Sequence, residues 1–152
     1  MPIPTQTAVA KVEAFFDAYG EHRVEDMVDL CADNAAFRYV PFEVYARQRV
    51  VHGDGQVRTI GKPIWTTLID CFPDLSNDVT SVRADSEGNV AVEVNIAGTQ
   101  AKAFGAVKNQ GLRYDLPHLF LFHVDDQGLI DDIVAYWDTA DWNQQLGWLE
   151  VD

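Results

Sequence analysis

Near Phe72-Pro73-Asp74 the hydrophobic rhythm of the chain changes from mostly helical to alternating, so helices must gather early and strands late. Before that point Val12, Phe15, Phe16 and Tyr19 fall at i, i+3, i+4 and i+7 with Lys11, Glu13 and Asp17 opposite, the pattern of an amphipathic helix ending at Gly20. Val24, Met27, Val28 and Cys31 repeat that spacing for a second helix. Trp65, Leu68, Ile69 and Phe72 do so for a third, opened by Pro63 and stopped by Pro73. Beyond it, residues 79–83 and 90–96 are β-rich runs around Asp85-Ser86-Glu87-Gly88-Asn89, which reads as a hairpin turn. Residues 118–123 and 130–137 form a second hairpin around Asp125-Asp126-Gln127-Gly128. Gly105 marks a bend between the two, and a short helix is expected over residues 142–148.

The order α, short β, α, antiparallel meander, short α predicts an α+β fold with helices packed on one face of a strongly curved sheet. Such a sheet makes a cup, and a cup closed by helices leaves an apolar pocket, the default place for a ligand. With 152 residues the chain is one domain, 1–152, and its 47% apolar and 23% charged residues exclude disorder. The 24 acidic against 11 basic residues leave a formal charge of −13, which repels nucleic-acid backbones and anionic membrane surfaces. No apolar run approaches a membrane span, and Met-Pro-Ile-Pro-Thr-Gln is not a signal peptide, so a cytoplasmic protein is expected. Cys31 and Cys71 stand alone in apolar patterns and are expected to be buried thiols.

Few residues in this pattern can carry chemistry. Asp138 ends an apolar strand: a carboxylate turned into the cup would be desolvated into a usable acid or base, whereas Asp138 or Thr139 turned outward would cap the terminal helix. His118 opens an apolar strand, where a neutral imidazole could trade a proton with Asp138 or polarise a carbonyl. His123 should take the other face of that strand, and no H-E-x-x-H is present, so no metal is expected. Tyr19, Tyr39, Trp65 and Tyr136 are candidate pocket walls or plain core packing, and Asn95 is either a partner for a ligand oxygen or a solvent-facing residue at the sheet edge. Arg38, Arg47, Arg49, Arg58 and Lys62 form a local basic excess that either receives an anion or neutralises nearby acids. Gly53-Asp54-Gly55 lacks the third glycine of a dinucleotide loop, no nucleophile elbow occurs, and no cofactor is expected.

Four local patterns, in order, carry a resemblance: the initial helix pair, Phe72-Pro73-Asp74-Leu75, Gly98-Thr99, and Tyr136-Trp137-Asp138 before Gln145-Leu146-Gly147. From about Val12 to Gly147 the chain resembles the SnoaL-like polyketide cyclase branch of the nuclear transport factor 2-like superfamily. The resemblance implies a cone of curved antiparallel sheet wrapped by three N-terminal helices and a short C-terminal one, and a homodimer. It also implies a cofactor-independent acid/base enzyme acting on a small hydrophobic carbonyl compound by cyclisation or isomerisation. Asp138 matches the acid/base aspartate of that branch. For its histidine partner, His118 is preferred to His123, because an even separation from Asp138 puts both on one face of a hairpin without a bulge. Relatives include non-catalytic binders of small apolar ligands, and epoxide hydrolases, for which Arg113 and Asp115 would join Asp138. The stretch 41–59 is longer than the resemblance leads one to expect, as a lid, a dimer contact or an extra wall would be.

Overall fold

A computed structural model describes residues 3–45, 49–105 and 107–147, with side chains described outside 41–53. Helix α1 spans Thr5–Gly20 and buries Val12, Phe15, Phe16 and Tyr19, the stripe that its sequence period marks. It ends at Gly20, as its sequence suggests. His22 takes the left-handed conformation at φ 61°, the Arg23 amide reaches back to Ala18, and the His22 ring bonds the Leu75 carbonyl at 2.8 Å. Helix α2 is only Val24–Asp29, because Cys31, expected to close it, instead opens the long strand β1 (Cys31–Tyr45). Strand β2 (Arg49–Gln56) folds back on β1, and a five-residue π-helix, Val57–Gly61, leads into α3 (Lys62–Cys71). The stretch 41–59 is therefore largely the far part of an edge hairpin; residues 46–48 and the side chains of 41–53 lie outside the described part.

Strands β3 (Ser76–Ala84), β4 (Asn89–Thr99), β5 (Arg113–Val124) and β6 (Ile130–Trp137) make the predicted meander, and α4 (Thr139–Gln145) closes the chain. The six strands form one sheet in the order β2-β1-β6-β5-β4-β3. Its pairing corrects the all-antiparallel expectation in one place, since β1 runs parallel to β6. Strict alternation in β4 and β5 sends Val90, Val92, Val94 and Ile96, and Tyr114, Leu116, His118, Phe120 and Phe122, to one face. Against that face Phe15 and Phe16 of α1 pack edge-on to Phe122 and Phe120 at 5.2 and 5.3 Å. Among the described residues no helix is long and apolar enough to cross a membrane.

The motifs behind the resemblance are clamps. The Asp74 carboxylate accepts the Thr99 amide at 2.6 Å, which ties the Phe72-Pro73-Asp74-Leu75 corner to the end of β4. A Cβ on Gly98 would stand 3.0 Å from the Phe72 Cβ, so only glycine lets corner and strand approach so closely. Gln145 bonds both backbone groups of Asp115, at 2.7 and 3.3 Å, and so seats α4 over the start of β5.

Candidate active site

Between the helices and the sheet a pocket is lined by Tyr19 of α1, Tyr39 of β1, Ile64 and Leu68 of α3, and Ile96 of β4. Phe104 of the β4–β5 loop, Tyr114 and His118 of β5, Trp137 of β6 and Trp142 of α4 complete it. No Asp, Glu, Lys or Arg is among these walls. The walls stand close, leaving a cavity of about 20 Å³, the space of one water molecule.

His118 is 7% exposed and faces Trp137 in near-parallel stacking at 5.6 Å. Its Nδ1 lies 3.2 Å from the Leu116 carbonyl, which can only accept, so Nδ1 carries the proton and Nε2 is the basic nitrogen. Burial pushes its pKa down to about 4, and the ring is neutral at pH 7.

Tyr19 and Tyr39 line the pocket. Trp65 stands behind them and donates its indole N–H to the Tyr39 hydroxyl at 3.1 Å. Tyr19 bonds the same hydroxyl, and desolvation holds the phenols of Tyr19, Tyr39 and Tyr114 well above their usual pKa. The three phenols are thus donors that stay protonated, and all three residues line the pocket. Trp142 is 1% exposed and its Nε1–H has no acceptor; the Tyr114 hydroxyl feels that N–H, but the two do not meet as a hydrogen bond. A buried donor left so costs about 1–3 kcal/mol.

Asp138 does not enter the cup. Its exposed carboxylate accepts the Asp141 amide at 3.0 Å as the N-cap of α4, so of the two sequence readings the cap is the one formed. Tyr136, 37% exposed, and Asn95, exposed opposite Pro117, face the outer side and are corrected as pocket residues. One bulge explains both Tyr136 and Asp138. Pairing runs Val124 to Ile130 but His123 to Asp132, so Asp131 is an extra residue and His118 opposes Trp137 instead of Tyr136. Beyond the bulge every β6 residue has changed face.

Arg113 and Asp115, the epoxide-hydrolase candidates, pair at 3.7 Å with both side chains half-exposed, and neither lines the pocket. Arg58 pairs with Asp33 at 3.0 Å and Lys62 with Glu25 at 2.6 Å, while Arg38 faces an outer groove near Asp132. The basic excess therefore neutralises acids where it is described; Arg47 and Arg49 lie outside the described side chains. Both cysteines are buried, and burial pushes the Cys31 thiol up to about 12. His123 bonds Asp131 at 2.6 Å on the other side of the sheet from His118, and the described residues hold no cluster of three metal-ligating side chains.

Sequence reasoning missed Tyr114, Trp137 and Trp142 as walls. Tyr114 continues the period of Leu116, His118 and Phe120 backwards, a signal that Pro117 obscures as an apparent strand break.

The SnoaL-like domain family matches residues 12–133, most of the chain. The chain belongs to the SnoaL-like family. Solved structures share its fold at low identity. AclR of Streptomyces galilaeus, a proposed hydroxylase, has 16% identity, TM-score 0.78, and covers 97% of this chain and 89% of its own. A proposed SnoaL-like polyketide cyclase of Jannaschia sp. CCS1 has 19% identity and TM-score 0.74, covering 96% and 95%. IdmH of Streptomyces antibioticus, a proposed polyketide cyclase, has 20% identity and TM-score 0.73, covering 92% and 98%. No curated protein matches the chain. At these identities the SnoaL-like fold carries over and the chemistry is argued from the site.

Proposed function

We propose that this SnoaL-like protein is an acid/base enzyme that moves a proton beside the carbonyl of a small hydrophobic compound, as a cyclase or isomerase does, and that His118 is its base. One observation carries the reading: a buried, neutral histidine offers a single basic nitrogen in a pocket whose walls bear no charge. Nε2 takes the proton from the carbon next to the carbonyl, and the enolate that forms supplies the counter-charge that the imidazolium lacks in the empty pocket. Charge then builds on the carbonyl oxygen, and Tyr39, its oxygen already accepting from Trp65 and Tyr19, is a polarised donor suited to it. Asp138 stays outside as a helix cap. A ring compound enters only if a wall turns, and Ile64 and Trp137 are the half-buried ones.

The test is deuterium exchange at the acidic C–H of 2-tetralone, a neutral bicyclic ketone, followed by NMR in D2O. Wild-type protein and Asp138→Asn are expected to accelerate exchange alike, and His118→Gln to lose about 100-fold or more. Exchange no faster than in buffer, or lost in Asp138→Asn and kept in His118→Gln, overturns the assignment. The second reading, a pocket that binds without chemistry, is favoured by Asp138 serving as a helix cap; binding of 2-tetralone without exchange would establish it. A homodimer belongs to the proposal, supported by Leu119, Leu121 and Tyr136 exposed on the outer sheet face; light scattering that gives the monomer mass of 17.0 kDa removes it.

A further inference from the structure

Among the described residues two buried side-chain atoms lack a hydrogen-bond partner, Gln100 Oε1 and Trp142 Nε1. Gln100 spends its amide nitrogen on the Lys102 and Val107 carbonyls and is not a wall of the pocket; Trp142 is one. We infer that the Trp142 Nε1–H is a positioning donor that receives an acceptor oxygen of the ligand, and that the ligand is an uncharged ring compound bearing that oxygen. The inference rests on the pocket being a ligand site, and not on His118 being a base.

The indole cannot turn away to find an acceptor elsewhere. Helix α4 is fixed at its start by the Asp138 cap and at its end by Gln145 on the Asp115 backbone. The ring is caged by Phe72, Phe104, Tyr114 and Trp137 at 6.0, 5.7, 5.7 and 5.4 Å. Of these neighbours only Tyr114 carries an oxygen, and it does not close the bond. A donor held so firmly among apolar rings is arranged for something that arrives from the pocket. An indole N–H only donates, so the arriving atom is an acceptor. Its molecule is uncharged, because a carboxylate or ammonium would lose its hydration with no opposite charge on the walls to replace it. A ketone, ester or quinone oxygen on a flat apolar body satisfies both conditions, and the aromatic walls suit that body. His118 and Trp142 both pack on Trp137, so one small ring compound reaches both.

The experiment is a titration of 15N-labelled protein with 2-tetralone and with tetralin, its hydrocarbon counterpart, following the indole N–H signals. The chain has 4 tryptophans, and Trp142→Phe identifies the signal that belongs to Trp142. We expect 2-tetralone to move that proton downfield while tetralin does not, and to bind about ten-fold tighter than tetralin, a ratio that falls to near one in Trp142→Phe. Equal movement with both compounds, a ketone that binds without moving the signal, or no binding of the ketone overturns the inference and leaves the N–H to a water alone. If Trp142→Phe fails to fold, backbone assignment identifies the signal and the wild-type difference decides. The two proposals fail separately: the Trp142 shift without exchange removes only the catalytic reading, and exchange without the shift removes only this one.

Discussion

His118 makes the pH dependence of any proton transfer in this pocket unusual for a histidine. Desolvation holds its pKa at about 4, so the basic form is complete well below neutrality. The rate of 2-tetralone exchange at low ketone concentration is therefore expected to reach half its plateau near pH 4 and to stay flat through pH 7; a midpoint near the ordinary imidazole value of about 6.5 would mean a solvated ring. Asp138 belongs to stability. Asp138→Asn caps about as well, whereas Asp138→Ala should cost about 1 kcal/mol in chemical denaturation, and an unchanged midpoint there would remove the cap. Part of the site was legible in the sequence. Tyr19 follows from helical period, and His118 from its place on an apolar strand. Asn95 was legible too, since Val94 and Ile96 on either side both point inward and force it outward. Asp138 and Tyr136 were not, because their faces hang on Asp131, one extra residue that no spacing announces.

The elements are held by contacts between segments far apart in sequence. Asp74 is the clearest, its pKa lowered chiefly by the Thr99 amide. A carboxyl held low in the folded state adds stability above the unfolded value of about 4, lost as pH falls through the lower folded value. For this exposed group, Asp74→Ala should cost about 1 kcal/mol at pH 7 and nothing measurable at the acid end, and an equal loss at both ends would assign the effect to packing. Element boundaries erred where tertiary pairing overrides local pattern. Cys31 fits the period of a helix, but β1 needs it opposite Ile130, so the strand takes it. Pro117 seems to stop a strand, yet β5 runs through it from Arg113 with the proline turned outward.

For the molecule as a whole, two histidines act on stability in opposite senses. His118 has its pKa lowered by burial, so the unfolded chain binds the extra proton between about pH 4 and 6.5; stability should fall by about 3 kcal/mol as pH drops through that window and be unaffected above it. His123 is raised, first by its bond to Asp131, so what it contributes is present at low pH and lost as pH rises through its folded value. Urea denaturation across pH 4 to 8 in His118→Phe should flatten the first slope, and a slope as steep as wild type would show that other groups produce it. The α+β layering was legible because period alone separates helix from strand; the parallel β1–β6 pair was not, because it joins residues 96 to 99 positions apart that share no local signal.

The extra residue at Asp131 also bears on how such proteins change over time. A one-residue slip of β6 that kept Asp131 but paired it with His123 would turn Tyr136 and Asp138 inward and Trp137 outward, whereas deleting Asp131 would leave Trp137 opposite His118. Tyr136 would then stand opposite His118, where an indole now stacks, and Asp138 would lie one pair further on, opposite Leu116. A single domain could thus exchange the side chains that face its pocket by a change of strand register alone, with His118 and Asp138 both already encoded.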